Sequence, residues 1–299
     1  MKKKENPRKG RIPGHILAIT AVVIWSVSFC FLEKLLDYAT FAQLLPICLI
    51  PAYLVLFLIH PRFMRLGSVS DELKFIFMGA AGFFGTYTLF NMGRVEGGGA
   101  LMQTAICCVP LTVFVSLCVS GRREKLTLLQ SAGLVIALVG SVISIMANGS
   151  TIFTSASSRI VVIFAAACLC RGIYSTLLDA GVKGAAIGTA RRTVFWGLII
   201  SVVFMFLTDG LPTFEPLLKA SSLINIAVAG AGGCGIAYAM WHASASRIGA
   251  EKSAYYMYLM PVMQLAFSAY VLKSCEFPIA AAIGAAVSFI GIVLAWLAG

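Results

Sequence analysis

The chain has 299 residues, of which 60% are hydrophobic and only 12% are charged, and its mean hydropathy is +0.93. A soluble domain is about 45–50% apolar and about 25% charged, so this composition excludes a soluble domain. The formal net charge of +11 could indicate a nucleic-acid-binding protein. The Lys and Arg residues are instead dispersed singly or in threes between apolar runs, and we therefore expect no nucleic-acid partner.

The nine cysteines and three histidines show no metal-binding or catalytic pattern. Eight of the cysteines lie within apolar runs, where a free Cys packs as a small hydrophobe. Cys168 and Cys170 would point apart on a helix, and no His is near them, which is not the spacing of a zinc site. The sequence has no nucleophile–base pair, HExxH motif or P-loop. We therefore predict that the chain is not an enzyme and uses no metal and no cofactor.

Apolar runs of about 20 residues recur along the chain, which is the length that an α-helix needs to cross ~30 Å of hydrocarbon. They predict an all-α membrane protein with ten transmembrane helices. A basic segment, residues 1–13, precedes the first run and is predicted to be a cytoplasmic tail. The predicted helices lie at roughly 14–32, 39–59, 73–92, 98–119, 128–147, 159–178, 188–207, 222–243, 254–272 and 279–298.

The second half of the chain repeats landmarks of the first half 151 positions later. Such internal similarity indicates a duplicated fold, and we predict five-helix repeats at 14–147 and 159–299. Because five is odd, the second repeat enters the membrane from the opposite side, which gives the inverted repeats typical of secondary transporters. The matched pairs are Gly79 and Gly230, Gly82 and Gly233, Tyr87 and Tyr238, Gly98 and Gly249, Pro110 and Pro261, Gly133 and Gly284, and Gly140 and Gly291.

The distribution of positive charge predicts the orientation of the chain. If the N-terminus is cytoplasmic, 17 Lys and Arg residues fall in inner segments and five in outer segments. This asymmetry follows the positive-inside rule, so both termini are predicted to be cytoplasmic. It also explains the basic surplus without a charged partner.

Several stretches together resemble a known family. Trp25 lies in the first predicted helix, and residues 237–262 read AYAMWHASASRIGAEKSAYYMYLMPV. The two halves end in GRREKLTLLQSAGLVIALVG (121–140) and KSCEFPIAAAIGAAVSFIG (273–291). The chain resembles the EamA-type transporters of the drug/metabolite transporter superfamily over nearly its whole length. The resemblance implies ten helices, a central cavity lined mainly by helices 1, 3, 4, 6, 8 and 9, and alternating access without ATP.

Arg171 is the one cation that lies deep within a predicted span rather than near its end. An Arg at mid-membrane costs at least ~2.5 kcal/mol on insertion scales, so it should face a cavity or a partner. It could anchor a substrate carboxylate or phosphate through its planar fork of donors. Alternatively, its side chain could reach toward the cytosolic headgroups. No Asp or Glu lies deep in any predicted span, so coupling to protons through a membrane carboxylate is not indicated.

Polar and aromatic side chains cluster on predicted helices 3, 4, 8 and 9. Tyr87 and Asn91 are four residues apart, as are their repeat mates Tyr238 and His242, so each pair shares a helix face. Such side chains suit a pocket for a small amphipathic solute, although an interfacial aromatic belt is an alternative explanation. The predicted cavity residues are Trp25, Tyr87, Asn91, Gln103, Arg171, Tyr174, Tyr238, Trp241, His242, Tyr258 and Gln264.

Pro110 and Pro261 occupy matched positions in the two repeats, and each removes one intrahelical hydrogen bond. They could act as gating hinges, and static kinks are the alternative.

Taken together, these patterns predict a multi-pass secondary transporter of the cell (inner) membrane. Its predicted partners are a small-molecule substrate and the lipid bilayer, and a homodimer is possible. The resemblance favours an exporter of an amino acid or related compound. An importer or exchanger of a larger anionic metabolite, such as a nucleotide conjugate, and a non-transporting membrane scaffold are the alternatives.

Overall fold

A computed structural model describes residues 11–61, 68–123, 127–147, 157–181 and 185–298. Every regular element in these ranges is helical. The long helices are α1 (Arg11–Leu35), α2 (Phe41–Ile59), α3 (Val69–Gly97), α4 (Gly99–Val119), α5 (Leu128–Met146), α6 (Ser158–Asp179), α7 (Ala186–Thr208), α8 (Ala220–Ile248), α9 (Ala250–Tyr255, Tyr256–Leu259 and Met260–Tyr270) and α10 (Ile279–Leu297). A single helical turn, Phe214–Leu217, precedes α8.

Within these ranges, nine helices are long and apolar enough to cross a membrane. The predicted all-α membrane fold is therefore confirmed. The ninth predicted helix is the exception, because residues 256–259 form a 3-10 turn that divides α9 into two shorter α-helical pieces. The count of ten membrane-spanning helices and the cytoplasmic location of the termini stay predictions.

Helix α1 overlaps the last three residues of the predicted N-terminal tail, residues 1–13, and the cytoplasmic location of that tail stays a prediction. Helix α1 is already formed at Arg11, whereas the sequence interpretation began it at residue 14. Pro13 lies in the first turn of α1, where proline is tolerated because its missing N–H has no intrahelical acceptor. Residues 1–10, the rest of that tail, lie outside the described residues.

Helices α3 and α8 each contain a π-helical segment, Ala80–Gly85 and Ala227–Ile236. Both segments are rich in Gly and Ala, and small residues within or directly before them bring neighbouring helices close. A Cβ atom added at Gly79 would lie 2.6 Å from the backbone nitrogen of Gly197 in α7. One added at its repeat mate Gly230 would lie 2.5 Å from the carbonyl oxygen of Cys48 in α2. The repeated glycines are therefore helix-packing positions in both halves.

Two further matched glycines make the sharp turns between consecutive helices. Gly98 separates α3 from α4 with φ +83° and ψ 166°, and Gly249 separates α8 from α9 with φ +87° and ψ 154°. This region of backbone space is essentially restricted to glycine, since a side chain would clash with the backbone.

Helix contacts are exchanged symmetrically between the two halves. Helix α1 packs on α8 and α9, and its counterpart α6 packs on α3 and α4. Helices α5 and α10 pack directly on each other along a stripe formed by the matched glycines Gly133, Gly140, Gly284 and Gly291. A Cβ at Gly140 would lie 2.4 Å from the nitrogen of Ser288, and one at Gly291 would lie 2.3 Å from the nitrogen of Ala137. The stripe therefore joins the two repeats within one chain.

Candidate functional site

Arg171 lies at the centre of the bundle, on α6, and is only 3% exposed. Its guanidinium carbon lies 4.9–5.4 Å from the centroids of four aromatic rings, those of Trp25, Tyr174, Tyr238 and Trp241. Each such cation–π contact stabilises a desolvated guanidinium by about 0.5 to 2 kcal/mol. The rings explain how the chain holds a cation that is almost fully buried inside the bundle.

A short chain of hydrogen bonds fixes the Arg171 side chain. Its Nη1 donates to the hydroxyl of Tyr238 at 2.7 Å, and that hydroxyl donates to the carbonyl oxygen of Gly82 at 3.0 Å. The matched carbonyl of Gly233 accepts from the indole nitrogen of Trp25 at 2.9 Å. Each π-helical segment thus orients one aromatic ring that surrounds Arg171.

A small cavity of about 30 Å³ adjoins Arg171, and we call it the central cavity. This volume accommodates little more than a water molecule. Six long helices, three from each repeat, supply its walls. The lining residues are Trp25, Phe29, Thr86, Tyr87, Phe90, Ile106, Arg171, Tyr238, Met257 and Met260.

His242 lies behind the aromatic rings and supports one of them. Its Nε2 is 2.7 Å from the hydroxyl of Tyr174, and its Nδ1 is 2.9 Å from the hydroxyl of Thr189. The Thr189 hydroxyl donates to the carbonyl of Ala186, so Nδ1 of His242 is the donor to Thr189 and Nε2 accepts from Tyr174. The imidazole therefore acts as a fully bonded positioning group for Tyr174.

A second, polar cavity of about 270 Å³ lies at the face of the bundle opposite the start of α1 and the end of α10, and we call it the vestibule. Arg94, at the end of α3, forms an ion pair there with Glu33 of α1, with 2.5 Å between Nη2 and Oε2. Arg94 is 7% exposed. The remaining lining residues are Gly99, Ala100, Gln103, Ser144, Ile145, Pro261, Gln264, Leu265, Ser268, Ser274 and Cys275.

The vestibule and the central cavity are stacked on the same four helices. On α1 and α3, Phe29 and Phe90 of the central cavity lie four residues from Glu33 and Arg94 of the vestibule. On α4 and α9, Ile106 and Met260 lie three and four residues from Gln103 and Gln264. One helical turn is about 5.4 Å, so a single apolar layer separates the two cavities. This layer consists of Phe29, Phe90, Ile106 and Met260.

We call the face where α1 begins and α10 ends the termini face. Ionic contacts between the two repeats close it. Arg123, which follows α4, pairs with Glu251 of α9 at 2.7 Å, and the Tyr255 hydroxyl also donates to that carboxylate. Arg192 of α7 pairs with Glu72 of α3, which also accepts from the indole of Trp196. These contacts are buried or half-buried, so they hold the two repeats together at this face.

The residues predicted from the sequence separate into distinct places. Four of them line the central cavity, namely Trp25, Tyr87, Arg171 and Tyr238. Two others, Tyr174 and Trp241, contact the Arg171 guanidinium but do not line that cavity. Gln103, Pro261 and Gln264 line the vestibule instead, and His242 lies behind Tyr174. Asn91, Pro110 and Tyr258 are buried and line neither of these two cavities.

The two predicted hinge prolines differ in their surroundings. Pro110 lies inside the continuous helix α4, whereas Pro261 follows the 3-10 turn of α9. A hinge role for either proline stays a prediction.

Sequence reasoning missed the ion pair of the vestibule and the apolar layer beneath it. No sequence pattern singled out Glu33 or Arg94, and Arg94 lies in the last turn of α3. The four-residue spacings from Phe29 to Glu33 and from Phe90 to Arg94 were visible in the sequence. These spacings indicate two stacked layers of side chains only when the two helices are known to face the same cavity.

The model of the EamA-like transporter family matches residues 12–146 and again residues 158–297. The two matches cover most of the chain. The chain belongs to the EamA-like transporter family. This EamA-like protein is therefore a multi-pass membrane protein with a two-repeat architecture, and transport is the activity that the family supports.

One solved structure, titled only "Crystal structure of protein", has the same fold as this EamA-like chain, with a TM-score of 0.75. It is 19% identical in sequence, and the alignment covers 96% of this chain and 99% of the other. No curated protein matches the chain. The substrate must therefore be argued from the residues of the site.

Proposed function

We propose that this EamA-like chain is a secondary transporter that exports an amino acid or a related small metabolite by alternating access. The observation that carries the proposal is the central arginine. Arg171 is buried beside a cavity, and among the described residues no carboxylate forms an ion pair with it. Its charge is thus available to a substrate.

The donors of Arg171 support an anionic group on the substrate. Nη1 is engaged by Tyr238, while Nε is buried and has no hydrogen-bond partner in the described part of the chain. A buried donor without an acceptor costs about 1–3 kcal/mol or more when it is charged. A substrate carboxylate that accepts from this edge of the guanidinium would remove that cost, and the surrounding rings would contact the carbon atoms of the same substrate.

The construction of the central cavity supports alternating access. Helices α1, α3 and α4 of the first repeat and α6, α8 and α9 of the second form its walls. Its volume of about 30 Å³ is too small for an organic solute, so substrate entry requires the two repeats to separate. Rocking of one repeat against the other would open the cavity toward one face at a time.

The proposal is tested by an untargeted comparison of metabolites inside and outside cells that overproduce the chain. We expect one or a few carboxylate-bearing solutes, amino acids among them, to be depleted inside and enriched outside. The matched control is Arg171→Gln at equal abundance in the membrane, which should abolish the difference. Accumulation of a larger anionic metabolite inside the cells would instead support an importer, and the absence of any difference would support a non-transporting scaffold.

A further inference from the structure

We propose that the vestibule is a second, separate binding site that recognises the zwitterionic head of an α-amino acid. The inference rests on the proposed function and names the substrate class that the transporter takes. It is carried by the Arg94–Glu33 pair and by the polar walls around it, which are distinct from the Arg171 site.

Arg94 supplies a binding group for a carboxylate. Its guanidinium is almost fully buried, and Nη2 is occupied by Glu33. Its Nη1 is also buried and has no hydrogen-bond partner in the described ranges. Guanidinium donors bind carboxylates strongly because the hydrogen bonds are charge-assisted. A ligand carboxylate in the vestibule that accepts from Nη1 would therefore satisfy a donor that the described residues leave without an acceptor.

Glu33 supplies a binding group for an ammonium. Its side chain is 60% exposed, and only Oε2 takes part in the ion pair with Arg94. The ligand's ammonium can therefore approach Oε1 while its carboxylate binds Arg94. The pair carries no net charge, so it complements a zwitterion. A simple anion would be repelled by Glu33 and a simple cation by Arg94.

The size and lining of the vestibule fit a small polar solute. Pockets for drug-sized ligands have volumes of about 300–1,000 Å³, and the vestibule, at about 270 Å³, lies just below that range. The amides of Gln103 and Gln264 and the hydroxyl of Ser268 offer further hydrogen bonds, whereas the Ser144 hydroxyl already donates to backbone carbonyls. This lining contrasts with the aromatic and apolar walls of the central cavity.

The position of the vestibule relative to the central cavity gives it a role in selecting the transported solute. It lies one helical turn from the central cavity, beyond the apolar layer of Phe29, Phe90, Ile106 and Met260. A solute that passes between Arg171 and the face opposite the termini face therefore meets the Arg94–Glu33 pair. The pair acts as a filter for the zwitterion at that face.

The inference is tested by binding measurements on the purified full chain in detergent. The probes are the twenty standard L-amino acids, followed by the methyl ester and the N-acetyl derivative of whichever amino acid binds most tightly. The ester lacks the carboxylate and the N-acetyl derivative lacks the ammonium. We expect each derivative to bind the unaltered chain at least tenfold more weakly, which corresponds to about 1.4 kcal/mol. This comparison needs no variant, so it does not depend on how a variant folds.

Variants then assign each half of the zwitterion to its partner. Arg94→Gln should weaken binding about tenfold and reduce the preference for the free amino acid over its methyl ester, because only the Arg171 site would still bind the carboxylate. Glu33→Gln should remove the preference over the N-acetyl derivative. The control is Arg159→Gln, because Arg159 pairs with Glu96 at the same face and does not line the vestibule. It should bind like the unaltered chain.

The inference is overturned if none of the twenty amino acids binds, or if Arg94→Gln and Glu33→Gln both bind like the unaltered chain. Tighter binding of the N-acetyl derivative would also contradict it. Flux measurements on the same preparations separate this inference from the proposed function. If amino acids are transported but the vestibule variants bind them like the unaltered chain, only the vestibule site is contradicted. If the expected binding pattern is found but no amino acid is transported, only the transport proposal is contradicted.

Discussion

At the scale of single residues, the chain solves the problem of a buried cation with aromatic rings. Arg171 has four rings and one tyrosine hydroxyl around it, and the described residues offer it no carboxylate. The sequence singled out Arg171 because a charge within an apolar run is rare. Tyr174 lies one helical turn from Arg171 on the same helix, but the sequence could not show the other three rings, since Trp25, Tyr238 and Trp241 come from α1 and α8, far from α6 along the chain.

Removing one hydroxyl tests the hydrogen bonds that hold Arg171. Tyr238→Phe keeps the ring but deletes the bonds to Arg171 and Gly82, and it should destabilise the protein by about 1.5–3 kcal/mol because one partner is charged. The matched control is Tyr258→Phe, since the Tyr258 hydroxyl is equally buried and has no partner in the described residues. Thermal unfolding in detergent should show a lower Tm for the first variant only. Equal effects of the two variants would contradict the assigned bonds.

At the scale of elements, the repeated glycines perform two different tasks. Gly79, Gly82 and their mates allow close helix approach, whereas Gly98 and Gly249 adopt a backbone conformation that other residues avoid. The sequence predicted these landmarks as a repeat and placed most helices within a few residues. It did not predict the π-helical segments or the break in α9. Both depend on packing between helices and leave no periodic signal in an almost uniformly apolar stretch.

The turn between α8 and α9 offers a direct test of backbone strain. A Cβ at Gly249 would meet no atom within 4 Å, yet φ is +87° there, so Gly249→Ala should destabilise the protein by about 1–3 kcal/mol through the backbone alone. Gly188 in α7 also has open space around it but lies in an ordinary helical conformation. Gly188→Ala should therefore be neutral or raise the Tm slightly. If both alanines lower the Tm equally, the turn geometry is not the cause.

At the scale of the whole molecule, the two faces of the bundle are closed in different ways. Ion pairs between the repeats close the termini face, whereas the apolar layer lies between the central cavity and the vestibule on the other side. The charge pattern of the sequence predicted an orientation but could not pair the charges. Arg123 and Glu251 meet only because α9 begins beside the end of α4.

Weakening the termini face should expose the central cavity. Glu251→Gln removes the charge that Arg123 and Tyr255 share, so the repeats should separate more often at that face. Met257 lines the central cavity, and a Met257→Cys substitution reports access by its rate of alkylation with a polar maleimide, read by peptide mass spectrometry. We expect a rate at least several-fold higher in the Glu251→Gln background.

The control for that measurement is Glu215→Gln, which removes a carboxylate from an exposed residue of the short helix before α8. Its alkylation rate should equal that of Met257→Cys alone. An unchanged rate in the Glu251→Gln background would show that the ion pair does not hold this face closed.

The central claim is that Arg171 binds the carboxylate of a transported solute. Its most direct test is efflux of the twenty standard amino acids from proteoliposomes that contain the unaltered chain, Arg171→Lys or Arg171→Gln. We predict that at least one amino acid leaves faster with the unaltered chain. Arg171→Gln should reduce that efflux at least tenfold, and Arg171→Lys, which keeps the charge but loses the planar fork, should retain part of it. Efflux by Arg171→Gln at the rate of the unaltered chain, or no efflux of any amino acid, would contradict the claim.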